Sequence, residues 1–136
     1  MAFKLTYATM FNPPEELHKG FDKAVAALKQ NLGKEYGMII DGKEVFADEK
    51  FQDRSPVNTD LVLAVMQKGN ATHANMAIAA ARKAAASWGR TPWQTRVKLV
   101  RKAVANIEKR LFELGAAMAM EVGKNRMESL GDVQET

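Results

Sequence analysis

Apolar residues recur along this chain at two different periods, and the changes between them divide it into elements. Leu17, Phe21, Val25, Leu28 and Leu32 follow at steps of four, four, three and four, the spacing of one helical stripe. Ahead of it, Asn12-Pro13-Pro14-Glu15-Glu16 combines a capping residue, proline for the first turn and acids at the positive end of the helix dipole. The stripe therefore predicts a helix that starts there and stops at Gly33. Residues 1–11 are weakly patterned and read as an N-terminal arm.

Met38-Ile39-Ile40 and Lys43-Glu44-Val45-Phe46 flank Asp41-Gly42, a pair that tolerates the positive φ of a tight turn, and so predict a β-hairpin. Ala47 to Asn58 is polar and contains Pro56, which reads as a loop or an irregular edge strand. Leu61 to Met66 is an apolar run of strand length, closed by Gly69-Asn70.

Downstream the period is helical. Ala71 to Trp88 is alanine-rich, with Ala77, Ala81, Ala84 and Trp88 on one face and Gly89 as the expected stop. Thr91-Pro92-Trp93-Gln94 has the form of a capping box with proline at the first helical position, and Val97, Val100, Val104, Ile107 and Leu111 follow it as one stripe. A further helix is expected from about Phe112 to Val122, interrupted by Gly115 and ended by Gly123. Another starts at Arg126, with Met127, Leu130 and Val133 at steps of three. That last stripe is unfinished at Thr136, which reads as a cut. No internal repeat is seen. The sum is an α/β fold in which helices cover Leu61 to Met66 on both faces, with the rest of the sheet missing from the chain.

Composition narrows the chemistry. The 136 residues, 46% apolar and 26% charged, suit one domain. With no cysteine, a thiol nucleophile, a Cys-ligated zinc and an iron–sulfur cluster are excluded from these residues. The longest apolar run, Ala116 to Met120, is far short of the roughly 18 to 20 residues of a membrane span. The first residues do not have the form of a secretion signal, so a cytoplasmic location is expected.

Gly123-Lys124-Asn125 invites a phosphate-loop reading, but that motif needs glycine where Met118 stands and Ser or Thr where Asn125 stands. A helix stop with an exposed lysine is the better reading. His18 and His73 lie far apart without a second ligand at helical spacing, so no metal site is expected and local hydrogen bonding accounts for both. Arg90, Arg96, Lys98, Arg101, Lys102, Lys109 and Arg110 make one helix strongly basic. These charges surround an apolar stripe as on any solvated helix, so nucleic acid is not an expected partner. Glu121, Glu128, Asp132 and Glu135 cluster late, the last three at steps of four and three on one face, where paired carboxylates could serve as acid and base, bind a cation, or simply form a solvated acidic face.

Several segments, in order, resemble the N-terminal part of NAD-dependent aldehyde dehydrogenases. Met38 to Val45 looks like that family's opening hairpin, and Trp88-Gly89-Arg90-Thr91-Pro92-Trp93-Gln94-Thr95-Arg96 is similar to its tryptophan, loop and arginine-bearing helix start. Glu121-Val122-Gly123-Lys124 resembles its glutamate-x-glycine-lysine turn, and Gly131-Asp132-Val133-Gln134-Glu135 the helix that follows. The extra helix from Pro13 to Leu32 and the Asp-Val-x-Glu sequence are most similar to the 1-pyrroline-5-carboxylate dehydrogenase branch, which oxidises glutamate γ-semialdehyde in proline breakdown.

The resemblance implies that residues 12–136 are an incomplete N-terminal portion of an NAD-binding α/β domain. It also implies that the catalytic cysteine, the general-base glutamate, the oxyanion-holding asparagine and the Gly-rich cofactor loop all lie downstream. No catalytic or cofactor-binding residue is placed on this chain; Glu135 alone carries over, as a residue near the substrate pocket. The chain by itself is then expected neither to bind NAD nor to oxidise an aldehyde. The rest of the enzyme or other subunits would cover its apolar helix faces, and the parent would be a homo-oligomer. The alternative is a free-standing helical interaction module derived from the same fold.

Overall fold

The structure, a computed structural model, describes residues 12–136. The expected arm at 1–11 lies outside them. The described elements run α1 (Glu15–Lys29), β1 (Lys34–Tyr36), β2 (Met38–Ile40), β3 (Lys43–Val45), β4 (Lys50–Arg54), β5 (Val62–Gln67), α2 (Ala71–Arg90), α3 (Trp93–Lys109), α4 (Leu111–Val122) and α5 (Arg126–Glu135). The α/β order of leading helix, hairpin, strand and several helices is the one expected.

Two small sheets are present among the described residues. In one, β5 is central, parallel to β1 and antiparallel to β4; the other is the β2–β3 hairpin. The hairpin turns through Asp41 at φ 52° and Gly42 at φ 73°, the backbone that Asp-Gly was expected to supply. The 47–58 region resolves into an edge strand, β4, whose register with β5 shifts between Asp53 and Arg54. Pro56 falls after the pairing ends and removes no ladder bond.

Strand β1 has no counterpart in the sequence pattern, because Lys34-Glu35-Tyr36 is too short and polar to show a period. The leading helix ends earlier than expected, at Lys29, and Gly33 is not its stop. At φ 73° Gly33 instead turns the chain into β1, and its N–H donates to the Leu63 carbonyl. Gln67, buried, ties this corner together: its amide donates to Glu35 Oε1 and the Tyr36 carbonyl, and its oxygen accepts from the Ala47 N–H. Each of its hydrogen-bonding arms thus has a partner, which makes its burial affordable in energy.

The core sits among helices, not on the sheet. Leu17 and Phe21 from α1 meet Leu111 and Ala116 from α4 and Leu130 and Val133 from α5. Gly20 stands in the middle of α1 because the Phe112 ring lies 2.8 Å from where its Cβ would be. Gly115 plays the same part under Leu130, so α4 is continuous through it and the expected interruption does not occur. The expected cover of β5 on both faces is also not seen: Val62 to Val65 are half-buried and Met66 is exposed.

Helix α2 runs through Gly89 to Arg90, so Gly89 is not its stop. The Thr91 capping box does not form either. The Thr91 hydroxyl donates to the Ser87 carbonyl at the end of α2, which removes it from the start of α3, where Pro92 is the cap residue. The stripe from Val97 to Leu111 is split between two helices at Arg110, whose φ of −106° and ψ of 17° redirect the chain and send Leu111 into the core. No residue of α2 or α3 is fully buried, although Ile107 of α3 packs half-buried against the core.

Candidate functional site

Three of the four late carboxylates, Glu128, Asp132 and Glu135, gather on α5 beside the turn from α4. Gly123, at φ 73°, ends α4 in a left-handed cap as expected, with its N–H on the Ala119 carbonyl. Asn125 then caps α5: its side-chain oxygen accepts from the N–H groups of Met127 and Glu128, both at 3.0 Å, and Glu128 accepts from the Asn125 N–H. This reciprocal box was legible as Asn-x-x-Glu after a glycine but is not among the signals read above.

Lys124 reaches over the turn to an ion pair with Asp132. The Asp132 carboxylate, foremost by its hydrogen bond, pushes the Lys124 ammonium above the usual lysine range, and the nearby charges of Glu128 and Glu135 act in the same direction. Lys124, Met127, Glu128, Gly131, Asp132 and Glu135 line an open groove of about 380 Å³. The structure thus brings Glu128, Asp132 and Glu135 together, with Glu128 serving the helix cap and Asp132 the lysine. Glu135 is exposed on the last turn of α5.

Glu121 is not part of this group. It lines a separate cleft of about 250 Å³ between the end of α1, the sheet and α4, with Leu28, Leu32, Tyr36, Asp53 and Met120. The two histidines are also accounted for separately. His73 accepts the Asn70 N–H through Nδ1 in the box that caps α2, and His18 on α1 meets Arg126, the first residue of α5. The contact between His18 and Arg126 spans 108 residues, and no local pattern announces it.

At the start of α5 the Met127 and Glu128 amides already donate to Asn125 and Lys124 is engaged by Asp132, so these groups are not open to a phosphate. On α3 the basic side chains ring an exposed apolar face. There Trp93, Arg96, Val97, Val100 and Arg101, with Trp88 from the end of α2, line a groove of about 530 Å³.

The aldehyde dehydrogenase family model matches residues 45–136. The chain is 32% identical over 121 residues to 1-pyrroline-5-carboxylate dehydrogenase 1 of Halalkalibacterium halodurans, covering 89% of this chain and 24% of that protein. It is 32% identical over 117 residues to 1-pyrroline-5-carboxylate dehydrogenase 2 of Bacillus subtilis, covering 86% and 23%. Among solved structures, 1-pyrroline-5-carboxylate dehydrogenase from Thermus with bound NAD superposes with a TM-score of 0.90 at 28% identity, covering 99% of this chain and 25% of that one. The chain therefore spans about a quarter of the length of the relatives it matches.

Proposed function

The chain belongs to the aldehyde dehydrogenase family, and from that premise we propose that it is the N-terminal segment of an NAD-dependent enzyme oxidising L-glutamate γ-semialdehyde to L-glutamate in proline degradation. The observation that carries this reading is the extent of the likeness. It takes in 99% of the chain, so the leading helix is matched to a 1-pyrroline-5-carboxylate dehydrogenase along with the hairpin and the later helices.

On this reading residues 12–136 are an incomplete N-terminal portion of the NAD-binding domain. Glu135 lies near the substrate pocket, where an exposed carboxylate suits the α-ammonium group of an amino-acid aldehyde. Lys124 and Asp132 brace the helix that carries it. The chain has no cysteine, so the thiolate that attacks the aldehyde is supplied by the parts of the enzyme outside it. The Gly-rich loop that holds NAD likewise belongs to the parts of the enzyme outside the chain, which alone does not bind it. The chain alone is then inactive. The enzyme is a cytoplasmic homo-oligomer, and its remaining parts cover α2 and α3; nucleic acid has no role in it.

The exposed apolar faces of α2 and α3 also suit a free-standing interaction module. The intact mass of the natural polypeptide separates the two readings, since a mass near 15.0 kDa favours the module. For the enzyme, the test is NAD reduction by the full-length protein with L-glutamate γ-semialdehyde. Glu135→Gln is expected to raise KM for that aldehyde more than it lowers kcat. Turnover of other aldehydes but not this one would remove the branch and leave the family.

A further inference from the structure

Arg126 begins α5, where the helix dipole opposes a positive charge, and α1 holds it there. Its Nη1 lies 2.7 Å from His18 Nδ1 and 3.5 Å from the His18 carbonyl oxygen. Its Nη2 donates to Asp22 Oδ1 at 2.5 Å, and the guanidinium sits 4.7 Å from the centroid of the buried Phe21 ring. A guanidinium stays charged and offers donors alone. His18 Nδ1 must therefore be the acceptor in this contact, with the imidazole proton on Nε2.

We propose that His18 and Arg126 form a proton-operated latch between α1 and α5, closed while His18 is neutral and opened when Nδ1 takes up a proton from solvent. Protonation turns the acceptor into a donor, sets one N–H against another and places two positive charges at hydrogen-bond distance. The Arg126 side chain is only 28% exposed, so water screens that repulsion poorly.

The surrounding charges favour an exchange of partners. On α1, Glu15 lies three residues before His18 and Asp22 four after it, both on the same helix face. Lys19, beside His18, is paired with Glu15. From α5 the charged group facing His18 is Arg126, and α4 presents the apolar Leu111 and Phe112 to α1. An imidazolium that turns to Asp22 takes from Arg126 its carboxylate as well as its nitrogen acceptor. Opening of the latch therefore follows protonation of Nδ1. It concerns how α5 is held and stands whether or not the proposed substrate is right.

The test is hydrogen–deuterium exchange of the full-length protein near neutral pH and at about pH 5.5, corrected for intrinsic exchange rates. Peptides covering Met127–Val133 should lose protection by about threefold or more in acid, while peptides from α2 do not. His18→Gln, which keeps an acceptor at every pH, should abolish the difference, and Arg126→Met should show low protection at both pH values. An equal acid loss in His18→Gln, no loss in the unmodified protein, or the same loss along the whole chain would overturn the latch.

Discussion

Leu130 rests against Gly115 so closely that a Cβ built on the glycine would stand 2.7 Å from Leu130 Cδ2. Helices α4 and α5 therefore meet at a separation that a methyl group would force open. Gly115→Ala is expected to cost about 1–3 kcal/mol by overpacking. Leu130→Ala, at a fully buried site, should cost about 2–5 kcal/mol. Because the two residues touch, the double variant should lose less than the sum, as read by urea unfolding in a double-mutant cycle. Strict additivity would mean that the contact does not set the helix spacing.

The cap of α5 can be tested separately. Asn125 satisfies two amides and Glu128 returns the bond, so Asn125→Ala should destabilise by about 1 kcal/mol while Asn125→Asp stays within a few tenths. Amide exchange at Met127 and Glu128 should rise in the alanine variant before any change elsewhere. If it does not, the start of α5 is held by Arg126 and Lys124 and not by its cap.

How much of this was legible depended on whether each cause was local. The hairpin at Asp41-Gly42, the stop at Gly123, the stripe of α5 and that of α1 from Leu17 to Leu28 are set by neighbours in sequence, and the structure has them; only Leu32 falls beyond the end of α1. The failures share the opposite origin. Gly115 reads as a weak point in a helix until Leu130, fifteen positions on, explains it, and β1 forms because β5 accepts it as a partner. Thr91 could cap either the helix behind it or the one ahead, and sequence alone gives no way to decide between the Ser87 carbonyl and the amides of α3. At the candidate site the spacing of Glu128, Asp132 and Glu135 was visible, but the lysine that organises them arrives across a turn.

The Glu35 network predicts a specific response to acid. The Lys50 hydrogen bond, and after it that from Gln67, holds the Glu35 carboxyl below the usual carboxylate range. Its folded value is lowered, so its contribution is fully present above the ordinary carboxylate pKa and is lost as pH falls through the lowered folded value. Unfolding free energies of the unmodified protein and Glu35→Gln should therefore differ most near neutrality and converge in acid, as pH falls through the lowered folded value. Parallel curves would show that the exposed Lys50–Glu35 pair adds nothing to stability.

The two helices without a fully buried residue give the last prediction. Trp88, Trp93, Val97 and Val100 are exposed and contiguous with Arg96 and Arg101, forming an apolar face with a basic rim on α2 and α3. A patch of this kind is unstable in water unless something covers it. The isolated 136-residue polypeptide should accordingly bind a hydrophobic dye and self-associate as its concentration rises, and Trp93→Ser with Val100→Ser should reduce both. In the full-length protein the same substitutions should act in the opposite sense. There the face is proposed to be buried, and losing a tryptophan from a packed interface should cost about 3–5 kcal/mol. If the pair of substitutions leaves the full-length protein as stable as before, the remainder of the enzyme does not cover this face, and the interaction-module reading gains what the enzyme reading loses.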